Sequence, residues 1–187
     1  MPRLINPFKW LLAVVLLVAL GACASEIDLT VPPEPLGNFK LGHNIVVARN
    51  PTIGPLSRKA TEAEWQKAMT EAIEDRFGRY DGDKLYHLGI SVDGYILALP
   101  GVPVVASPKS VLIINVTAWD DSMAGKLNPE PKQITVLESL SGDTLLGSGL
   151  TQSKQQQMEN LSANAARAVQ KWLLDNPDWF KSETLAN

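Results

Sequence analysis

The chain has 187 residues, 45% of them apolar and 20% charged, a balance that fits one globular domain and excludes a disordered chain. Its formal charge is −3 and becomes about −5 when the N-terminal Arg3 and Lys9 are set aside, which excludes nucleic acid, or attraction to an anionic membrane surface, as the basis of its main partnership. With a single cysteine there can be no internal disulfide framework, so the fold must rest on its core.

The N-terminus reads as three zones. Arg3 and Lys9 give a basic start, Trp10 to Leu20 form an unbroken apolar run, and the small residues Gly21 and Ala22 precede Cys23. A permanent membrane span needs roughly 20 apolar residues. The run is therefore too short to span and has the length of a cleavable signal-peptide core. Leu20-Gly21-Ala22-Cys23 resembles the bacterial lipobox. That resemblance implies cleavage before Cys23 and diacylglycerol on its sulfur, together with fatty acyl chains such as palmitate. Two or three chains anchor stably where one binds only marginally. In this family an aspartate after the cysteine favours the inner membrane. Ala24 implies the outer membrane, facing the periplasm, with the periplasmic face of the inner membrane as the alternative.

Residues 1–22 are thus expected to be a signal peptide, 23–41 a lipidated N-terminus with the Pro-rich tether Val31-Pro32-Pro33-Glu34-Pro35, and 42–187 a single domain. The run His43 to Arg49, closed by Asn50-Pro51, predicts a first strand. Thr61 and Glu64 form a capping box, followed by Trp65, Ala68, Met69, Ala72, Ile73 and Phe77 at helical spacing up to Gly78. Asp81-Gly82-Asp83 turns the chain into a strand with Tyr86, Leu88, Ile90 and Val92 on one face and His87, Gly89, Ser91 and Asp93 on the other. At Gly94 the phase shifts to Tyr95, Leu97 and Leu99, which predicts a bulge.

Strands are expected over 110–119 and 133–140, with 144–149 able to return as a hairpin. A second capping box, Ser153 with Gln156, opens a helix carrying Met158, Leu161, Ala165, Ala168, Val169 and Trp172, which ends at Asn176-Pro177. Trp172 is expected in the core, while Trp179 and Phe180 have no assigned environment. The order β-α-β-β-β-α predicts an α+β two-layer sandwich, a mainly antiparallel sheet with both helices on one face. In element order this is similar to the lipopolysaccharide-assembly lipoproteins of the outer membrane, a likeness of fold alone.

The residues carry no recognisable catalytic motif, so no catalytic residue, metal or cofactor is expected. His43 and His87 are expected in structural positions. Asp81 to Asp83 form a turn, because the twelfth position of a calcium loop, where a bidentate glutamate is required, is Val92. Asp120 and Asp121 end a strand with their carboxylates pointing apart. The apolar link 100–108 contains Val102, Val104 and Val105 where a hairpin usually carries polar residues, and is either a partner contact or a cover for the core. The leading expectation is a lipid-anchored envelope protein that assembles with or scaffolds another envelope protein. The alternatives are a module binding a small apolar ligand or lipid near Leu88, Ile90, Ile114 and the loop valines, and an envelope hydrolase built on His43 or His87.

Overall fold

The computed structural model describes residues 31–99, 110–138 and 153–181. Cys23, the apolar link with Val102, Val104 and Val105, and the expected 144–149 hairpin lie outside those residues. The described elements are β1 (Phe39–Val47), β2 (Thr52–Ile53), α1 (Glu62–Phe77), β3 (Lys84–Ile96), β4 (Val111–Asp120), β5 (Gly125–Lys126), β6 (Lys132–Leu137), α2 (Lys154–Leu174) and a 3-10 turn (Pro177–Phe180). In the sheet, β1 and β2 both lie along β3, β4 follows, and β5 and β6 lie along the far side of β4.

The architecture is the expected α+β two-layer sandwich, and its sheet is mixed. The pairings of β4 with β3, β5 and β6 are antiparallel, whereas β1 and β2 join β3 in parallel. The parallel pairing of β1 follows from its connection to β3, which contains α1: a helical crossover returns the chain to the end where it started, as a hairpin cannot. The register between β3 and β4 shifts between Val92 and Gly94. This is the predicted bulge, and it carries Tyr95 and Leu97 into the core.

Both capping boxes form. Thr61 accepts from the Glu64 N–H, Ser153 accepts from the Gln156 N–H, and each N3 side chain reaches back to its cap. Near their N-termini the two helices are joined by Lys154 to Glu64, and near their C-termini by Arg76 Nη1 donating to Gln170 Oε1 (2.8 Å). They therefore run side by side in the same direction. Trp65, Met69, Ile73 and Phe77 from α1, and Met158, Leu161, Ala165, Val169 and Leu173 from α2, bury their apolar stripes on one face of the sheet. There they meet Tyr86, Leu88, Ile90, Leu112, Ile114, Val116 and Ala118. Trp172 and Trp179 are partly buried against this core and meet edge to face, with ring centroids 5.3 Å apart.

The domain begins earlier than the tether reading allows. Phe39 is buried in the core and starts β1, and Leu36 is buried ahead of it. The preceding segment is strapped down as well: Arg79 donates to the Val31 carbonyl, Tyr80 OH to the Glu34 carbonyl (2.7 Å), and the Asn38 N–H to the Phe180 carbonyl (3.2 Å). Burial raises the Tyr80 phenol above its ordinary value, against the opposing hydrogen bond from Gln170. Prolines with extended backbone suit such a strap as well as they suit a free tether, and the difference lies in the aromatic residues it reaches.

Phe39→Ala is expected to lower unfolding free energy by about 3–5 kcal/mol, as for a buried aromatic, and Lys40→Ala by almost nothing. Urea denaturation of the two variants checks this. Lys154 holds the Glu64 carboxyl below the ordinary glutamate value, aided by the Thr61 N–H, so this pair contributes stability above the unfolded glutamate pKa and loses it as pH falls through the lowered folded value. Lys154→Met should cost roughly 0.2–1 kcal/mol at neutral pH, a difference that vanishes in acid when denaturation midpoints are compared across pH.

Candidate functional site

The face of the sheet opposite the helices is uncovered by any described element, and alternation along the strands decides what it displays. Midway along the strands it is polar and internally satisfied. Ser91 Oγ donates to Asp93 Oδ1 (2.5 Å), and Asn115 Nδ2 donates to Asp93 Oδ2. Toward the start of β3 it is largely apolar. Here a shallow groove of about 380 Å³ is lined by His43, Ile45, His87, Gly89, Trp119, Asp121 and Ala124, among others.

Trp119 forms the floor. His87 is its cross-strand partner, and the indole leans over Gly89, where a Cβ would lie 2.7–2.8 Å from ring carbons Cζ3 and Cη2. Only a residue without a side chain leaves room for the ring to lie flat on the sheet. Ile45, paired with Gly89 on the neighbouring edge strand, is 60% exposed beside it. The result is an aromatic and aliphatic surface on a rigid sheet.

His43 and His87, 44 positions apart in sequence, meet here because a register shift between Leu41 and Asn44 brings His43 onto the open face. Their ring centroids are 4.7 Å apart. The His43 backbone N–H donates to His87 Nδ1 (2.8 Å), so Nδ1 is an acceptor and the ring proton sits on Nε2, 3.0 Å from Asp121 Oδ1. Both ring nitrogens are engaged. A general base needs a free lone pair within reach of the proton it removes, and no serine, threonine or cysteine lines the groove among the described residues. The cluster bends β1 and ties it to the β4–β5 turn.

Asp120 and Asp121 point apart, as expected of adjacent strand residues. Asp120 is buried and accepts from the Ser122 N–H (2.9 Å) and Oγ (2.6 Å), whereas Asp121 is exposed and meets His87. Asp81-Gly82-Asp83 is the expected turn. The Gly82 N–H donates to the Phe39 carbonyl (3.0 Å), and a Cβ at Gly82 would meet Phe39 backbone atoms at 2.6 Å. No group of three or more His, Cys, Asp or Glu able to hold a metal occurs among the described residues. Leu88, Ile90 and Ile114, considered as walls of an apolar ligand site, are buried in the core under the helices.

The sequence reading did not single out Trp119 and Ile45. One signal was available: the alternation of β3 places Gly89 on the open face, and a glycine in mid-strand marks close approach by another group. The link carrying Val102, Val104 and Val105 leaves and re-enters the sheet at the end of β3 and the start of β4, the end remote from the groove. At that remote end Ile53, Leu56 and Leu137 are exposed. Ile53 pairs with Tyr95 and Leu137 with Val111, while Leu56 lies between Gly54 and Arg58, whose N–H groups donate to the Tyr95 and Leu97 carbonyls.

No protein-family model matches the chain, and no curated protein matches it by sequence. Among solved structures, it is similar to a candidate lipoprotein of Caulobacter crescentus (17% identity, 74% of this chain and 93% of that one, TM-score 0.39). It is also similar to a DUF330-family protein of Xanthomonas campestris (15%, 80% and 89%, TM-score 0.40) and to a minor lipoprotein of Acinetobacter baumannii (12%, 76% and 96%, TM-score 0.32). These likenesses are too distant to transfer a function. Among the described residues, no helix is long and apolar enough to cross a membrane.

Gly89→Ala should force the Trp119 ring off the sheet, costing about 1–3 kcal/mol by overpacking. Adding Trp119→Ala should recover much of that loss. A thermodynamic cycle of the two substitutions, followed by denaturation, reads the coupling.

Proposed function

We propose that this chain is a lipid-anchored envelope protein that works by contact and not by catalysis, held at the periplasmic face of the outer membrane through Cys23. The partner is another envelope protein, and the contact is made at the end of the domain remote from the anchor. The observation that carries this reading is the polarity of the domain. The strap from Val31 to Asn38 docks at the start of β3, while exposed Ile53, Leu56 and Leu137 gather at the other end, where the uncharged link with Val102, Val104 and Val105 is rooted. Exposed apolar side chains at the root of an uncharged apolar link are characteristic of an interface.

The hydrolase alternative loses one of its two histidines, because both nitrogens of His87 are occupied. For an apolar-ligand site between the sheet and the 100–108 link, the burial of Leu88, Ile90 and Ile114 in the core gives no support, and the link valines lie outside the described residues. Ala24 after the lipobox cysteine favours the outer membrane.

Photo-crosslinking residues placed in cells at Leu56 and at Val104 should capture the same envelope protein, and a substitute at Lys67, on the exposed side of α1, should not. Lipid adducts alone, or no adduct from either position, would sink the reading. In parallel, Cys23→Ala should abolish palmitate incorporation and release the protein from membranes on fractionation.

A further inference from the structure

The strap does more than close the core, because it sets where the chain leaves the domain. Val31 is held by Arg79, at the end of the domain where β1 and β3 begin. Only eight Cα-to-Cα steps separate Val31 from Cys23, so whatever their conformation they span at most about 28 Å. β3, with its 13 residues, is about 40 Å long. If Cys23 is lipidated, the end bearing Val31 always lies nearer the bilayer than the domain is long, and the remote end can touch the bilayer only if the domain lies flat.

That proximal end carries its own apolar rim, traceable contact by contact. Arg79 lies two residues before Asp81, and Asp81 bridges to Lys40. Lys40 pairs with Leu85, and the Leu85 carbonyl accepts from the Asp121 N–H in the β4–β5 turn (3.1 Å). That turn presents Met123. Val31, Leu85 and Met123 are 56%, 40% and 66% exposed, and the rim continues onto the open face at Ile45 and Trp119. Lys40 and Lys126 flank it, both exposed and neither in an ion pair among the described residues.

We infer that this rim is a bilayer-contacting edge. Val31, Leu85 and Met123 rest in the headgroup region of the anchoring membrane, and Lys40 and Lys126 reach its phosphates. The inference rests on the lipid-anchor reading above. The domain's net negative charge would not recruit it to a membrane, and need not. A tether this short makes the second contact intramolecular, at an effective concentration in the millimolar range, so a weak apolar contact suffices. Lysine stems can lie along apolar surface with the ammonium turned to the phosphates. The edge would set the domain upright, with the remote apolar end directed away from the bilayer.

The test uses the full lipidated chain, purified from membranes and reconstituted into phosphatidylethanolamine–phosphatidylglycerol vesicles. Single nitroxide labels are placed through Met123→Cys, Leu85→Cys or Leu56→Cys, since Cys23 is blocked by lipid. Electron paramagnetic resonance then compares relaxation by oxygen, which partitions into lipid, with relaxation by a water-soluble nickel chelate. The expected result is an oxygen-to-nickel ratio several-fold higher at 123 and 85 than at 56, and a fall toward the value at 56 when Lys40→Glu and Lys126→Glu are added. Equal, water-like ratios at all three sites would overturn the inference. So would protection of 123 from both reagents, the mark of contact with a second copy. Failure of the anchor reading is seen separately: the chain then carries no acyl mass at Cys23 and floats free of the vesicles.

Discussion

Phe39 meets four aromatic rings drawn from four separate parts of the domain. It stacks on Tyr86 at 5.3 Å, meets Tyr80 and Phe180 edge to face at 5.4 and 5.6 Å, and tilts against Phe77 at 6.0 Å. Those rings come from the start of β3, the link after α1, the C-terminal 3-10 turn and the end of α1. Tilted and edge-to-face contacts of this kind add to the burial of each ring. Remove Phe39 and β1 loses its inner face, the strap loses its neighbour, and the last turn of the chain has nothing to close upon. The exit point of the N-terminal segment is a consequence of this one cluster.

The hydrogen bonds around the cluster work in the same direction. Gln170 Nε2 donates to Tyr80 OH (2.6 Å), which donates to the Glu34 carbonyl, and Tyr86 OH donates to the Trp179 carbonyl (3.1 Å). Buried phenols of this kind need partners, and burial raises both Tyr80 and Tyr86 above the ordinary phenol range. The guanidinium of Arg76 is shifted down by desolvation and by its neighbours Arg167 and Arg79, and it spends its donor on Gln170. Polar groups in this region serve to hold strap, helices and C-terminus together.

The two faces of the sheet divide the labour. One is sealed by parallel helices. The other is open, polar and self-satisfied midway along the strands, aromatic and aliphatic toward the start of β3, with a histidine pair in which both ring nitrogens of His87 are committed, to the backbone of β1 and to Asp121. The docked strap gives the domain a defined point at which its N-terminal segment leaves.

Much of the fold was legible in the amino-acid sequence because local physics decides it. Capping boxes at Thr61 and Ser153, the apolar stripes of α1 and α2, the alternation of β3 and β4 and the bulge at Gly94 are each written in a few neighbouring residues. The lipobox resemblance at Cys23 is equally local. The parallel placement of β1, the burial of Phe39 and Leu36, the reunion of His43 with His87 and the resting of Trp119 on Gly89 were not legible. They depend on partners from 30 to more than 100 positions away. A Pro-rich stretch reads as a tether by composition, and whether it hangs free or docks is settled by which aromatic rings the folded chain sets before it. Residue order determined the elements and the proposed address, whereas tertiary packing alone decided where the domain begins and at which end its N-terminal segment leaves.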